Sequence, residues 1–407
     1  MFEGNQRKVR RYYDPPTLVL KQAMTALYLG VLTRWQKLPA WLLKGGNTLP
    51  TAAGAVGMGC IGFPNHPVWE MTAACNLRCK QCHATAGRRD PQELSTEEGK
   101  RLIDEMADIP EFRMFTFAGG EPLVRPDIFE LVDHARNLGF EVSIATNGTL
   151  VTHDVAKRLK SLGVANIAIG LNATDKAVHE SITNVPGSFE NTKQGIYNTL
   201  EFGMNLQVNT TVMKENREYI PGLLDFASDV GAEIVLLYQL LPEGRGDKDM
   251  ELSVREYYDT VRLIADKQRT SVSAIEPVCY PQYWAYLVGK DGRNGWRLRL
   301  AETFLKGCVA GNGLCYVKPN GDVWPCPFVP LSAGNVRETS LPDIWDNSEL
   351  LTSLRDRSNL KGKCGSCLYK NVCGGCRGRA YAHLGDYLGE DPFCFLHQPH
   401  STTTAVP

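Results

Sequence analysis

The 407-residue chain has almost no charge imbalance: 44 Lys and Arg stand against 45 Asp and Glu, for a formal net charge of -1. A global electrostatic pull toward nucleic acid is therefore excluded, and any anionic partner must be met by a local patch. Long hydrophobic runs are missing too. The apolar stretch 17–38 places Leu18, Leu20, Met24, Leu27, Val31, Leu32 and Trp35 at roughly helical spacing, but Lys21 and Arg34 bracket only residues 22–33, which include Gln22, Thr25 and Thr33. That falls well short of the ~20 apolar residues a membrane-spanning helix needs. The cysteines lack an even count: thirteen cannot pair completely as disulfides, so their arrangement must decide between staples, metal ligands and reactive thiols. Apolar residues are not scarce, and 43% hydrophobic with 22% charged excludes a disordered, fibrous or coiled-coil chain. The length exceeds one comfortable core, which implies a large domain with at least one smaller module.

The N-terminal extension, 1–64, reads as helical. Its basic start (Arg7, Lys8, Arg10, Arg11) followed by a short apolar run imitates a secretory signal, but export to an oxidising compartment would not suit thiols that must stay reduced, as metal ligands or reactive groups must. The expected location is cytoplasmic. Residues 17–42 are either a helix docked on the main domain or a peripheral membrane helix with Trp35 and Trp41 at headgroup level. The polar tail, 397–407, is expected to fray.

From 65 to 247 short apolar runs alternate with amphipathic segments, the pattern of βα units on a parallel sheet. Strands are expected at 67–71, 113–117, 141–145, 166–170, 206–212 and 233–238, with a capping box at Ser95 and Glu98 opening one of the intervening helices. Six units give an α/β fold, a partial (β/α)6 TIM-type barrel, in which function gathers on the loops after the strand C-termini. The unusual polar motifs fall there: Cys75 to Cys82, Gly119 to Pro122, Asn147, Asn172 and the stretch from Gln239 to Gly246. A helical connecting segment, 248–307, leads to a cysteine-rich module, 308–396, which is expected to fold around metal.

Cys75, Cys79 and Cys82 lie within eight residues, too tight for ordinary disulfides and suited to three corners of a metal or cubane site with the fourth left open. A structural zinc knuckle would want a second pair of ligands, and only His83 adjoins. CxxxCxxC after the first strand, followed by Gly119-Gly120-Glu121-Pro122 after the second, resembles the radical S-adenosylmethionine (SAM) enzymes. The resemblance implies that Cys75, Cys79 and Cys82 hold a 4Fe-4S cluster whose open iron chelates SAM. Reduction by an external one-electron donor such as flavodoxin or ferredoxin would then give a 5'-deoxyadenosyl radical that takes hydrogen from the substrate. It further implies that Glu121 accepts from the methionyl ammonium, that Gly119, Gly120 and Pro122 bring backbone to the ligand, and that Asn147, Asn209 and Gln239 are candidates for its ribose and carboxylate. Ala118 and Asn172 depart from the residues frequent in relatives, so fine contacts are expected to shift.

In the last module four thiolates would close one cubane or one zinc site, and the residues alone do not separate iron from zinc. Cys308-x12-Gly321-x4-Cys326, then CxxC-x5-C and a distant cysteine, resembles the SPASM extension of radical SAM enzymes. That implies two auxiliary 4Fe-4S clusters, the inner one held by Cys308, Cys315, Cys326 and Cys376 and the outer one by Cys364, Cys367, Cys373 and Cys394. Their expected work is to carry an electron. Cys60 and Cys279 are left over and are assigned as small buried hydrophobes.

Cys373 to Ala382, Gly385 to Leu388, Asp391 to Cys394, Leu241 to Gly246, Gln207 to Thr211 and Leu331 to Val336 are similar to the branch of the SPASM group that makes haem by the siroheme route. The resemblance implies oxidative decarboxylation of propionates on an iron-porphyrin, a small-molecule substrate. Arg245, Arg377 and Arg379 are available as guanidinium forks for propionates, or they balance cluster charge. His83 and His383 could approach a haem iron or be structural. A maturase of ribosomal peptides, a lipid-modifying enzyme and a non-enzymatic electron carrier are the competing readings; residues 1–64 lack the strands of a peptide-recognition domain, and the GGEP loop with an open cluster corner argues against a mere carrier.

Overall fold

The computed structural model describes residues 66–289 and 295–396, together with positions 20, 23, 24, 27, 28 and 31. The docking or membrane role of the N-terminal helix, Cys60 and the fraying tail lie outside the described residues. Among the described residues no helix is long and apolar enough to cross a membrane.

A single ten-stranded sheet organises the chain. Its parallel centre is β1 (His66–Glu70), β2 (Met114–Ala118), β3 (Glu141–Thr146), β4 (Asn166–Gly170), β5 (Asn205–Val212) and β6 (Ile234–Gln239), each paired with the next. These are the six expected strands within a residue or so at each end. Between them run α1 (Thr96–Asp108), α2 (Ile128–Asn137), α3 (His153–Ser161), α4 (Lys176–Thr183), α5 (Ser188–Glu201) and α6 (Ile220–Asp229). The Ser95 hydroxyl accepts from Glu98 N and the Glu98 carboxylate from Ser95 N, so the box that opens α1 satisfies two otherwise orphaned donors.

Two more parallel strands were not anticipated. After α7 (Val254–Lys267), β7 (Ala274–Val278) pairs with β6, in place of the wholly helical segment expected over 248–307. Its sequence, Ala-Ile-Glu-Pro-Val, hides the strand: Glu276 breaks the alternation and Pro277 removes a donor, which is tolerable because β7 is an edge. After α8 (Gln282–Gly289) and α9 (Gly295–Phe304), β8 (Leu314–Val317) pairs in parallel with β1 on the opposite flank, and β9 (Asp322–Trp324) and β10 (Gly334–Asn335) extend it antiparallel. The cysteine-rich stretch therefore contributes to the barrel sheet directly. The rest of it is α10 (Leu341–Asn347), α11 (Glu349–Arg355), α12 (Gly362–Ser366) and α13 (Arg377–Leu384).

Strand alternation divides the sheet's two faces. Phe115, Phe117, Ile144, Ile167, Ile169, Leu206, Val208 and Leu237 belong to one continuous apolar core. The residues between them, Thr116, Ala118, Ala145, Ala168, Gly170, Gln207, Asn209 and Tyr238, are mostly small or polar and line a cavity. A barrel whose inner wall carries small polar residues leaves space that side chains of its own do not fill.

Candidate functional site

The cavity measures about 360 Å3 and runs from the loop after β1 to the cysteine-rich stretch. Ligand pockets commonly hold about 300–1,000 Å3. Cys79 lines it, and so do Cys308, Cys326 and Cys376.

The loop that carries Cys75, Cys79 and Cys82 is held from several sides. Gly120 N donates to Thr72 O at 2.7 Å and Glu121 N to Ala74 O at 2.8 Å, which lays the Gly119-Gly120 turn directly on the loop's backbone. A Cβ on Gly120 would stand 2.3 Å from Ala74 O, so only glycine fits this approach. Leu77 N points at Cys75 Sγ and Ala86 N at Cys82 Sγ, each at 3.4 Å. Burial, then the neighbouring Cys82 and Cys75, push the Cys79 thiol up to about 12, and burial likewise raises Cys75. Three thiols set close together in one loop, two of them receiving an N–H at sulfur, are a donor set that asks for a cationic metal.

The outer thiols show the same pattern. Tyr369 N donates to Cys367 Sγ, Gly375 N to Cys373 Sγ and Asp391 N to Cys364 Sγ, all at 3.4 Å. Among the described residues no three donor side chains meet at the spacing of one ion. A four-iron cubane does not ask for that, because each thiolate takes a different iron.

Several expected ligand-binding residues stand elsewhere. Glu121 is 0% exposed: its carboxylate accepts from Thr146 Oγ1 (2.8 and 2.9 Å), Asn147 N (2.8 Å) and Leu123 N (3.0 Å), and neither it nor Gly120 or Pro122 lines the cavity. It braces the end of β3 from behind the wall, and burial holds its carboxyl up at about 7. Gly119 and Asn147 do line the cavity. Asn147 Nδ2 donates to Asn76 Oδ1 at 2.7 Å and lies 4.0 Å from Cys75 Sγ, which ties the third strand's loop to the cysteine loop. Asn209 lines it as well, while Gln239, one residue past the lining Tyr238, alternates to the other face and is 0% exposed with neither amide atom partnered.

None of the three arginines offered for propionates reaches the cavity wall. Arg245 spends Nε on Cys79 O and Nη1 on Ala86 O, both at 2.8 Å, and its own N on Cys82 O, so it clamps the cysteine loop. Arg377, 1% exposed, donates to Tyr387 O, Gly389 O and Gly375 O and faces Cys364 Sγ at 3.7 Å. Arg379, 0% exposed, pairs with Asp391 at 2.8 Å. Charge balance and backbone support, rather than substrate recognition, occupy these guanidiniums. Cys315 also fails to join its expected partners: it lies in the apolar core, not on the cavity wall.

The wall also holds polar side chains to which the motifs assign no ligand-binding role. Gln81 Oε1, Thr116 Oγ1 and Gln207 Oε1 are buried without a partner in the protein. Such orphans ordinarily cost about 1–3 kcal/mol each, which fits groups reserved for a ligand. Gln207 and Thr116 could have been found by stepping back two positions along the strand from Asn209 and Ala118. His83 lines the cavity between Phe328 (5.3 Å between centroids) and Tyr316, whose hydroxyl lies 3.2 Å from Nε2; enclosure holds the imidazole down to about 4, hence neutral at pH 7. Tyr316 in turn donates to Glu70, which Lys318 pairs. His383 instead pairs with Glu251 at 3.0 Å and is not on the wall.

Residues 69–227 match the model of the radical SAM superfamily, and residues 308–368 match the SPASM iron-sulfur cluster-binding domain. An AdoMet-dependent heme synthase of Methanosarcina barkeri is 38% identical over 347 residues, covering 83% of this chain and 99% of that protein. The chain belongs to the radical SAM superfamily. Another AdoMet-dependent heme synthase, from Nitratidesulfovibrio vulgaris, is 35% identical over 80% of this chain and 90% of its own, and a mycofactocin maturase of Mycobacterium tuberculosis is 31% identical over 82% and 83%. Among solved structures, Streptococcus suis SuiB bound to S-adenosylmethionine superposes with a TM-score of 0.67 at 20% identity, covering 91% of this chain and 87% of that one. As a radical SAM enzyme with a SPASM extension, the chain uses SAM, a 4Fe-4S cluster and additional iron-sulfur clusters, and the thiol sets above fit those groups.

Proposed function

We propose that this radical SAM enzyme converts propionate side chains of an iron-porphyrin to vinyl groups by oxidative decarboxylation. One observation carries the reading: a single cavity is lined both by Cys79 of the first cysteine loop and by Cys308, Cys326 and Cys376 of the cysteine-rich stretch, so one bound substrate faces both thiol sets, the first to take a hydrogen atom and the second to take an electron. The heme synthases named above support the substrate class. When bound, the cluster and SAM supply the radical that takes the hydrogen.

The balance is simple. A hydrogen atom leaves the methylene next to the ring; the remaining carbon radical then loses CO2 and one electron, and the new double bond is the vinyl. Cysteine loop, Arg245 clamp and Gly119-Gly120 turn hold the hydrogen-abstracting site in place. Gln81, Thr116 and Gln207 offer neutral polar atoms to the ligands, and His83 lines the same wall with Nε2 engaged by the Tyr316 hydroxyl. The reduced state at the first thiol set requires a one-electron donor such as flavodoxin or ferredoxin.

The test is anaerobic incubation of the reduced, cluster-loaded chain with SAM and iron-coproporphyrin III, followed by mass spectrometry. Stepwise loss of CO2 plus two hydrogens per propionate supports the reading. An unchanged porphyrin alongside formation of 5'-deoxyadenosine contradicts it and favours a peptide substrate, the chemistry named for the mycofactocin maturases.

A further inference from the structure

The cysteines of the cysteine-rich stretch do not divide as the spacing inside 308–396 implies. Leu314 and Tyr316 line the cavity, and strand alternation sends Cys315, between them, to the opposite face. There it is 0% exposed, packed in the main apolar core, and the charged group nearest it in effect is Arg355, not another thiol. Cys308, Cys326 and Cys376 remain on the wall, three thiols for a cubane with four corners.

A fourth thiol stands on the same wall. Cys279 is the first residue beyond β7, at the C-terminal end of a barrel strand, the position that carries chemistry in such folds. Its backbone is left-handed, φ +64, a conformation that costs a non-glycine residue on the order of 1 kcal/mol and persists where the surroundings over-determine it. They do so here. Cys279 O accepts from Arg379 Nη2 at 2.9 Å and from Tyr257 Oη at 3.5 Å. Arg379 holds Asp391 through Nε at 2.8 Å and Nη2 at 3.1 Å, and Asp391 Oδ2 accepts Cys376 N at 2.7 Å. One buried ion pair thus fixes the backbones of both Cys279 and Cys376, and the two thiols are near enough to perturb one another directly.

We infer that Cys279 supplies the fourth thiolate of the inner auxiliary cluster, beside Cys308, Cys326 and Cys376, and that Cys315 supplies none. The inference rests on the SPASM assignment and is independent of the substrate. Each thiol loses its proton as iron binds. A ligand from the end of β7, outside the matched cluster-binding stretch 308–368, bridges the two flanks of the barrel sheet that no strand pairing joins among the described residues. Sequence spacing could not show it, since 28 residues separate Cys279 from Cys308.

The experiment uses the full chain with Cys75, Cys79 and Cys82 changed to Ala, so that only the auxiliary clusters assemble, and reads iron, acid-labile sulfide and the paramagnetic resonance of the reduced protein. At four irons per cubane, the background holds about eight irons per chain. Adding Cys279→Ala is expected either to lower that to about four or to keep eight and open an iron that binds added 13C-cyanide, seen as a carbon hyperfine coupling absent from the background. Adding Cys315→Ala is expected to leave iron and spectra unchanged. Cys279→Ser, which keeps the side chain's size, is expected to repeat the alanine result with an unaltered circular dichroism spectrum. Unchanged iron, unchanged spectra and no cyanide coupling in both Cys279 variants would overturn the assignment, as would loss of about four irons in Cys315→Ala.

Discussion

Replacing Gly120 by alanine puts a methyl group where the protein already has backbone. The new Cβ would lie 2.3 Å from Ala74 O, 2.7 Å from Ala74 C and 2.9 Å from Ala86 Cβ, against comfortable separations of about 3.5–4.0 Å, so the two segments must part by roughly 1 Å. Parting them breaks the 2.7 Å and 2.8 Å bonds from Gly120 N and Glu121 N that fasten the cysteine loop. Two such bonds are worth about 1–3 kcal/mol together. Forcing a methyl into a packed site adds about 1–3 kcal/mol. A loss of about 2–6 kcal/mol is therefore expected, concentrated on the loop that carries Cys75, Cys79 and Cys82. The assay is an anaerobic urea titration of the cluster-free chain together with iron content and SAM binding of the reconstituted chain. Gly295→Ala is the control, because nothing lies within 4 Å of its Cβ. Wild-type stability, iron content and SAM affinity in Gly120→Ala would refute the claim that the glycine pair seats the cysteine loop.

Three further outcomes are open to measurement. Arg245→Ala should lose iron from the SAM-binding site, because two carbonyl contacts on the cysteine loop disappear; retained iron with a raised KM for porphyrin would mean the guanidinium meets substrate after all. Glu121 is held up at about 7 by burial against an ordinary value of 4.5, so the folded chain keeps a proton that the unfolded chain has released: its contribution to stability is full below about pH 4.5 and is lost as pH rises through 7. That shift corresponds to about 3 kcal/mol. Subtracting the pH profile of Glu121→Gln should reveal it, and superimposable profiles would refute it. Glu98 is held down at about 2 by its hydrogen bonds to Arg337, so its contribution is present above about pH 4.5 and disappears as pH falls through 2. Both groups are partly solvated, which limits the effect to about 1 kcal/mol or less, and Glu98→Gln should match the wild type only in strong acid.

The six central strands were legible because apolar runs, helical periodicity and a capping box agree along 65–247. β7 was not, since Glu276 and Pro277 disguise an edge strand, and β8 is four residues long among glycines. The cysteine motifs announced the metal chemistry, but spacing along the chain says nothing about which face of a strand a side chain takes. Cys315 was lost to the core and Cys279 gained for that reason. Charge misled in the same way: Arg245, Arg377 and Arg379 looked available for carboxylates until their partners proved to be carbonyls, a thiol and Asp391. Glu121 was conspicuous in its motif, and only the fold shows it bracing β3 from behind.

The account stands on one substrate held in the cavity that both thiol sets line, and isotope transfer tests that most directly. Iron-coproporphyrin III deuterated at the propionate methylenes next to the ring is incubated anaerobically with the reduced, cluster-loaded chain and SAM. Deuterium appearing in 5'-deoxyadenosine together with a vinyl product is the predicted result. Unlabelled 5'-deoxyadenosine with the porphyrin recovered intact would contradict it.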